Sequence, residues 1–305
     1  MENTLVSVII PTYKRSDCIC KSIDSVLNQT YSNIEIIVVD DNGKGSIEQK
    51  KTESLLSDYI KRGKVTYVVH EINKNGSAAR NTGFKISKGN FINFLDDDDV
   101  FYPQKIEKQV ELLENSRREY GAIYCNSRIK RIQKVTGKVI INDTRYTKSG
   151  DLCKEYLLDE IRFNTSTILF RRKVVEDLNG FDESFIRHQD YEFLVRFFMK
   201  NLILCSGEEP LSEYDTTQIR TYSYNTTKDF AVKEKFLLTF HDFFEKKGIL
   251  VDIEHYFWYD CMLNCLYVSD YHLFKKAFSK SFKARYFSIK EVARIIKCFF
   301  VGLVR

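Results

Sequence analysis

Four consecutive aspartates, Asp96, Asp97, Asp98 and Asp99, follow directly on an apolar run at 91–95. An apolar run bounded in this way predicts a buried strand. Four carboxylates at its end cannot all be buried without partners, because each buried anion costs several kcal/mol. They either face water or hold a cation. Hard divalent cations take oxygen ligands, and Mg²⁺ is usually kept by one or two carboxylates together with substrate phosphates. Polar groups also close the two earlier apolar runs: Pro11, Thr12 and Tyr13 after the first, Asp40 and Asp41 after the second. In a parallel sheet such ends share one edge, and ligands collect there. A tyrosine at that edge can stack on a base, and a carboxylate can accept from a base N–H. The whole set fits a nucleotide diphosphate with a divalent metal, Mn²⁺ or Mg²⁺.

The elements that must position these groups alternate along the first hundred residues. Strands are expected at 6–10, 34–39, 65–69 and 91–95. Helices are expected at 17–29, 46–59 and 76–87. The first helix has Ile19, Ile23, Val26 and Leu27 on one side, and Ser16 or Asp17 as its cap. Apolar strands alternating with helices predict an α/β chain whose central sheet is mostly parallel and covered by helices. Further on, the pattern predicts a helix at 103–118 and a strand at 122–125. A β-hairpin follows at 128–141, turning at Thr136, Gly137 and Lys138, then a strand at 165–170 and a helix at 172–178. The helix at 190–199 turns Phe193, Leu194, Phe197 and Phe198 inward. Beyond about 227 the patterns are helical. The expected division is 1–227, itself split into halves 1–100 and 101–227, followed by a helical region at 228–305.

Bulk composition sets the limits. The chain has 305 residues and 43% hydrophobic content, enough for a sizeable core, and only 3 prolines. The net charge of +5 names no partner by itself. Its distribution is uneven: 271–305 holds nine bases and one acid, a net +8, so the rest carries −3. The 8 cysteines show no C-x-x-C pair and no zinc spacing, which fits a reduced cytoplasmic protein. The first apolar run is too short for a signal peptide, and no run approaches the ~20 residues of a membrane helix. There is no G-x-G-x-x-G after the first strand and no G-x-x-x-x-G-K-[ST], so the usual dinucleotide and P-loop routes have no support.

Five blocks occur in order: VSVIIPTYKR, IEIIVVDDNG, NGSAARNTGF, FINFLDDDDV and FDESFIRHQDYEFLVR. Together they resemble the signature blocks of family 2 glycosyltransferases with the Rossmann-like GT-A fold, over about 6–214. The resemblance implies an inverting enzyme that moves a sugar from a nucleotide-diphosphate sugar, most simply a UDP-sugar. The acceptor would be a glycan or lipid-linked saccharide in surface polysaccharide synthesis. It puts Pro11, Thr12 and Tyr13 at the nucleobase and ribose, Asp41 at the uracil edge, and Gly76 and Arg80 near the diphosphate. In the acidic block it makes Asp98 the metal ligand and Asp96 a donor contact. Asp97 fills the variable position among the donor contacts, with a solvated bystander as the alternative. Asp99 is left to orient the loop. Asp190, at a helix start that favours the ionised form, matches the base that takes the acceptor proton. Asn164, Ser166, His188 and Gln189 are candidate acceptor contacts. The family often has Glu-Asp where this chain has Gln189-Asp190, which makes acceptor binding the least defined part.

Two other readings remain at the level of sequence. A sugar nucleotidyltransferase would need a glycine-rich loop near the first strand, and 11–15 has no glycine. A non-catalytic nucleotide-sugar binder or membrane-docked partner subunit would not need both Asp98 and Asp190. No fold or aromatic-interleaved patch points to nucleic acid. At the chain end, Ile289, Val292, Ile296, Phe299 and Leu303 fall on one helical face, with Lys290, Arg294, Lys297 and Arg305 largely opposite. That pattern suits either a helix lying on an anionic membrane, with a peripheral place on the inner face of the cell membrane, or one packed on the domain.

Overall fold

The computed structural model describes residues 4–132, 138–215, 217 and 225–303, with side chains described to 299. The chain divides into two units, Met1–Cys153 with Ile161–Ile219, and Lys154–Glu160 with Arg220–Arg305.

The first unit is built on one sheet. Its strands, among the described residues, are β1 (Val6–Thr12), β2 (Ile34–Asp40), β3 (Thr66–Val69), β4 (Phe91–Phe94), β5 (Asp99–Phe101), β6 (Tyr120–Ile132), β7 (Val139–Asp143), β8 (Ile168–Arg171) and β9 (Leu202–Asp215). The order is β3-β2-β1-β4-β8-β6-β9-β5, with β7 paired to β6. From β3 to β4 every ladder is parallel, as the alternation predicts. Val6, Val8, Ile9 and Ile10 are buried, as parallel strands covered on both faces must be. Beyond β4 the sheet is mixed: β8 runs antiparallel to β4 and β6, and β5 antiparallel to β9.

Helices α1 (Ser16–Leu27), α2 (Ile47–Lys61), α3 (Gly76–Ile86) and α4 (Lys105–Glu114) lie close to their expected places. Ile19, Ile23 and Val26 of α1 enter the core beside Val8, Ile10, Ile36 and Val38. Helix α3 approaches β1 so closely at Gly83 that a Cβ there would meet Ile9 Cγ2 at 2.4 Å.

Strands β5 and β9 are not expected from the sequence. The long strand β9 has no clean alternation, because Gly207, Glu208, Glu209 and Pro210 interrupt it. Its register comes from β6, through irregularities around Asn126. The Asn126 amide donates to the Gly207 and Tyr146 carbonyls, 2.8 Å each, and so carries the ladder across the break. The expected hairpin is β6–β7, whose turn at Thr136 and Gly137 lies outside the described residues.

A short helix α5 (Cys153–Leu157) precedes a 3₁₀ turn (Thr165–Thr167) and β8. Then come α6 (Arg172–Asp177) and α7 (Gln189–Phe198). Phe193 of α7 stacks on Phe181 at 4.2 Å and meets Phe170 edge-on at 5.5 Å, which fixes the helix from its inner face.

The second unit holds α8 (Thr226–Lys246), α9 (Leu250–Tyr267), α10 (Tyr271–Ala284) and α11 (Ile289–Leu303). Phe236 stacks parallel to Phe257 at 5.2 Å between α8 and α9. Lys154 pairs with Asp252 at 2.6 Å and ties the 154–160 segment to α9.

Candidate active site

The parallel register sets Thr12 level with Asp40, and β4 ends beside them. The ends of β1, β2 and β4 therefore share the edge expected from sequence.

Asp41 has a task there that its position alone did not disclose. Oδ1 accepts from Lys74 N at 2.8 Å and from His70 Nδ1 at 2.7 Å; Oδ2 accepts from Asn73 Nδ2 at 2.8 Å and from Asn75 N at 2.9 Å. Four acceptances fill a carboxylate's capacity. The residue expected at the base edge is thus committed to the 73–75 loop. Because a carboxylate only accepts, His70 Nδ1 carries a proton, and Nε2 lies 2.9 Å from the Thr82 hydroxyl. The loop in turn starts α3: the Asn75 side chain accepts from Ser77 N and Ala78 N.

Along the acidic run burial alternates. Asp97 and Asp99 are buried, whereas Asp96 and Asp98 are only half-buried. Asp97 is no solvated bystander. Its Oδ2 accepts from the Thr12 hydroxyl at 2.7 Å and its Oδ1 from Arg15 Nη1 at 2.9 Å. Burial pushes its pKa up, against the opposing pull of Arg15 and the Thr12 hydrogen bond. The same Arg15 nitrogen lies 3.0 Å from Asp98 Oδ1. Asp99 begins β5 and accepts from Asn164 Nδ2 at 3.0 Å. Its Oδ1 is buried with no partner. Burial first, then the Asp96 charge, push its carboxyl up to about 8. Asn164 and Ser166, candidate acceptor contacts, brace the run from the 3₁₀ turn ahead of β8. Ser166 Oγ accepts from Asp96 N at 3.0 Å.

Arg80, on α3, donates from Nη2 to Asp96 Oδ1 at 2.6 Å and from Nη1 to Gln189 Oε1 at 3.1 Å. It is 7% exposed. Burial works against its charge, yet Asp96 and Asp190 more than offset this and hold its pKa above the usual value. Gly76 makes the meeting possible: a Cβ there would stand 2.9 Å from Gln189 Oε1 and 3.0 Å from Arg80 Nη1.

Asp190 is in the first turn of α7. The helix start alone predicts an ordinary ionised acid. In the fold, burial pushes its pKa up to about 6, with Arg80 holding it down and Asp96 raising it. It stays largely ionised at neutral pH but close to its titration point. His188 sits before α7 with a left-handed backbone, φ 57°, and its ring meets Tyr191 edge-on at 5.3 Å. Pro11 is half-buried at the end of β1. Tyr13 is exposed, its ring under Lys14 Nζ at 5.0 Å.

The fold therefore gathers Thr12, Gly76, Arg80, the acidic run, Gln189 and Asp190 into one charged cluster. It holds Asp41 one layer back, behind the 73–75 loop. Sequence reasoning missed two members, Arg15 and Asn81. Both stand inside the quoted blocks, Arg15 two residues after Tyr13 and Asn81 directly after Arg80. Asn81 Nδ2 donates to Phe181 O and Glu183 Oε1, 2.9 Å each, and its Oδ1 accepts from Phe181 N at 2.8 Å. Gly180 is required for this, since a Cβ there would come within 2.3 Å of Asn81 Oδ1.

Residues 7–178 match the family described as Glycosyl transferase family 2. The amylovoran biosynthesis glycosyltransferase AmsB of Erwinia amylovora is 30% identical over 217 residues, 70% of this chain and 70% of its own. The Escherichia coli protein WfgD, named a UDP-Glc:alpha-D-GlcNAc-diphosphoundecaprenol beta-1,3-glucosyltransferase, is 30% identical over 204 residues, 67% of this chain and 73% of its own. Among solved structures, the mannosyltransferase PcManGT of Pyrobaculum calidifontis, in complex with GDP-Man and Mn²⁺, superposes with a TM-score of 0.59. That match has 17% identity and covers 98% of this chain and 81% of that one. The chain belongs to family 2 of the glycosyl transferases. It is a glycosyltransferase, and its α/β sheet with appended helices is the GT-A architecture.

Proposed function

We propose that this glycosyltransferase moves a sugar from a UDP-sugar to a hydroxyl of a saccharide acceptor, glycan or lipid-linked, in surface polysaccharide synthesis. The anomeric centre is inverted and residues 1–227 carry the chemistry. The names of AmsB and WfgD support the pathway and the donor class. The observation that carries the reading is the contact of Arg80 with Asp96 and Gln189 beside Asp190, because it joins the donor edge of the sheet to the start of α7.

The residues fit a divalent metal. All donors in the run are hard oxygens, and Arg15 already sets a positive group against Asp97 and Asp98. With Asp99 held largely protonated, Asp96, Asp97 and Asp98 still outnumber the guanidiniums of Arg15 and Arg80, and a diphosphate adds further negative charge. Among the described residues, three potential ligand atoms converge only at His241, Asp242 and Glu245, not in the run. The run therefore suits an ion held by one protein carboxylate, Asp98, with phosphate oxygens completing the shell. When bound, such an ion would supply Lewis-acid stabilisation of the leaving diphosphate.

The protein groups do the rest. Arg80 sets a charge beside the leaving phosphate and fixes Asp96 for the donor. Tyr13 offers an exposed ring to the base, and Pro11 and Thr12 border it. Asp41 shapes the 73–75 loop that leads into Gly76. Asp190 takes the proton of the acceptor hydroxyl as that oxygen attacks the anomeric carbon from the side opposite the diphosphate. His188 and Gln189 border the acceptor side. Direct displacement of this kind needs no protein nucleophile.

The test is a thermal-shift screen of nucleotide sugars with and without Mn²⁺, since a ligand of the folded state raises apparent stability by mass action. Stabilisation by UDP-sugars that grows with Mn²⁺ is expected. No shift with any nucleotide diphosphate would overturn the reading.

A further inference from the structure

We infer that helices α10 and α11 form a docking surface for an anionic phospholipid bilayer. The basis is how α11 is turned. An amphipathic helix on a soluble domain ordinarily buries its apolar stripe. Here the side facing the other helices is pinned by a charge. Glu291 Oε1 accepts from the buried His255 Nε2 of α9 and from Arg285, 3.0 Å each. Glu291 Oε2 accepts from Ser288 N at 2.7 Å, while Ser288 Oγ accepts from Glu291 N at 3.3 Å. That reciprocal pair is a capping box, so one carboxylate both starts the helix and fixes its rotation.

With Glu291 turned inward, Ile289, Val292, Ile296 and Phe299 are turned outward. Their spacing of three, four and three makes one stripe. Ile289 is 90% exposed and Ile296 53%. An aromatic ladder leads along the chain to this stripe: Phe278 stacks on Phe282, and Phe282 meets Tyr286 at 5.1 Å. All three are exposed, Tyr286 at 77%. Aromatic rings of this kind anchor proteins at the headgroup level.

Charge selects the occupant. Lys290, Arg294 and Lys297 are exposed on α11, largely opposite the stripe. The one acid between 271 and 305 is Glu291, and it is already held by His255 and Arg285. An apolar stripe backed by a basic face with no available acid on the same helix is the pattern of a helix lying on an anionic bilayer. A second copy would bring bases against bases. No helix among the described residues is long and apolar enough to cross a membrane, so the surface lies on the bilayer. Leu303 of the expected stripe and Arg305 of the expected basic side lie outside the described side chains. The inference is independent of the donor chemistry.

The full chain is sedimented with vesicles of phosphatidylglycerol mixed with phosphatidylcholine, and with phosphatidylcholine alone. Binding to the anionic vesicles, weakened by salt, is expected. The double variant Ile289→Asp with Ile296→Asp is expected to lose binding by about tenfold or more, because the apolar term goes and a like charge enters. Both positions are exposed, so its circular dichroism and its hydrolysis of donor should match the wild type. Three results would overturn the proposal: no binding of the wild type to anionic vesicles, equal binding by the double variant, or a wild-type dimer in solution that the double variant abolishes.

Discussion

Arg80 and Asp96 form the hinge between the two halves of the candidate site. The guanidinium of α3 lies 2.6 Å from the first carboxylate of the acidic run, and the same group contacts Gln189 of α7 at 3.1 Å. A positive charge here also controls Asp190, whose pKa it lowers. Arg80→Gln is therefore expected to do two separable things. Stability should fall by about 3 kcal/mol, the usual cost of breaking a buried pair. The acid limb of kcat/KM should also move to higher pH. A limb that stays in place would disconnect Arg80 from Asp190.

Asp190→Asn keeps the shape of the first turn of α7 and removes the proton acceptor. Transfer should fall by roughly 10² to 10⁴. Calorimetric affinity for the donor should stay near wild type, since the role proposed for Asp190 is toward the acceptor hydroxyl. Near-normal turnover would remove Asp190 from the chemistry.

The pH profile follows from the same carboxyl. With its pKa pushed up to about 6, kcat/KM should fall tenfold per unit below about pH 6. The stability effect has the opposite sense. The folded value lies above the ordinary 3.8, so the fold favours the protonated form. That contribution is complete at pH values below ~4 and is lost as pH rises through about 6. Asp190→Asn should thus melt higher than wild type at pH 8, by on the order of 1–2 kcal/mol, with the gap closing toward pH 4. Melting curves across that range would read it.

Gly76→Ala places a methyl 2.9 Å from Gln189 Oε1 and 3.0 Å from Arg80 Nη1. Both are ends of longer side chains, so the change should cost about 1–3 kcal/mol and leave the fold intact. The KM for donor should rise as Arg80 is displaced. Wild-type kinetics in this variant would show that Arg80 has room the close approach does not suggest.

Metal removal tests the acidic run. Chelation should abolish transfer and Mn²⁺ should restore it. Asp98→Asn should need far more metal for half-activation, while Asp97→Asn, which disturbs Thr12 and Arg15, should lose stability more than metal response. The reverse ranking of those two variants would exchange their roles.

The positions of β1, β2, β4 and α1 were legible because each has one clear signal: an apolar run buried on both faces, or a stripe of Ile19, Ile23 and Val26. The ends of those elements told where the site is. What each aspartate does there was not legible. Four identical residues carry no pattern, so only the fold reveals that Asp97 and Asp99 turn inward. Asp41 was read from its own block, but its partners come from the 73–75 loop and His70, thirty residues on. Strand β9 was missed because its pairing to β6 crosses a bulge that no local period encodes. For α11 the helical period showed a stripe and a charged side; it could not show which of them the Glu291 pin turns toward the other helices.

Asn81 and Arg80 are neighbours on one helix, and they reach in two directions. Arg80 holds the acidic run, and Asn81 holds Phe181 and Glu183, in the segment that leads to Asp190. Helix α3 therefore acts as a ruler: the spacing between the acidic run and the segment that leads to Asp190 is set by two consecutive residues of a rigid rod. Inserting one residue into α3 ahead of Arg80 would turn both by about 100° and lose both ends together. Any opening that admits substrate must leave this rod whole, and the motion is left to segments that the rod does not grip.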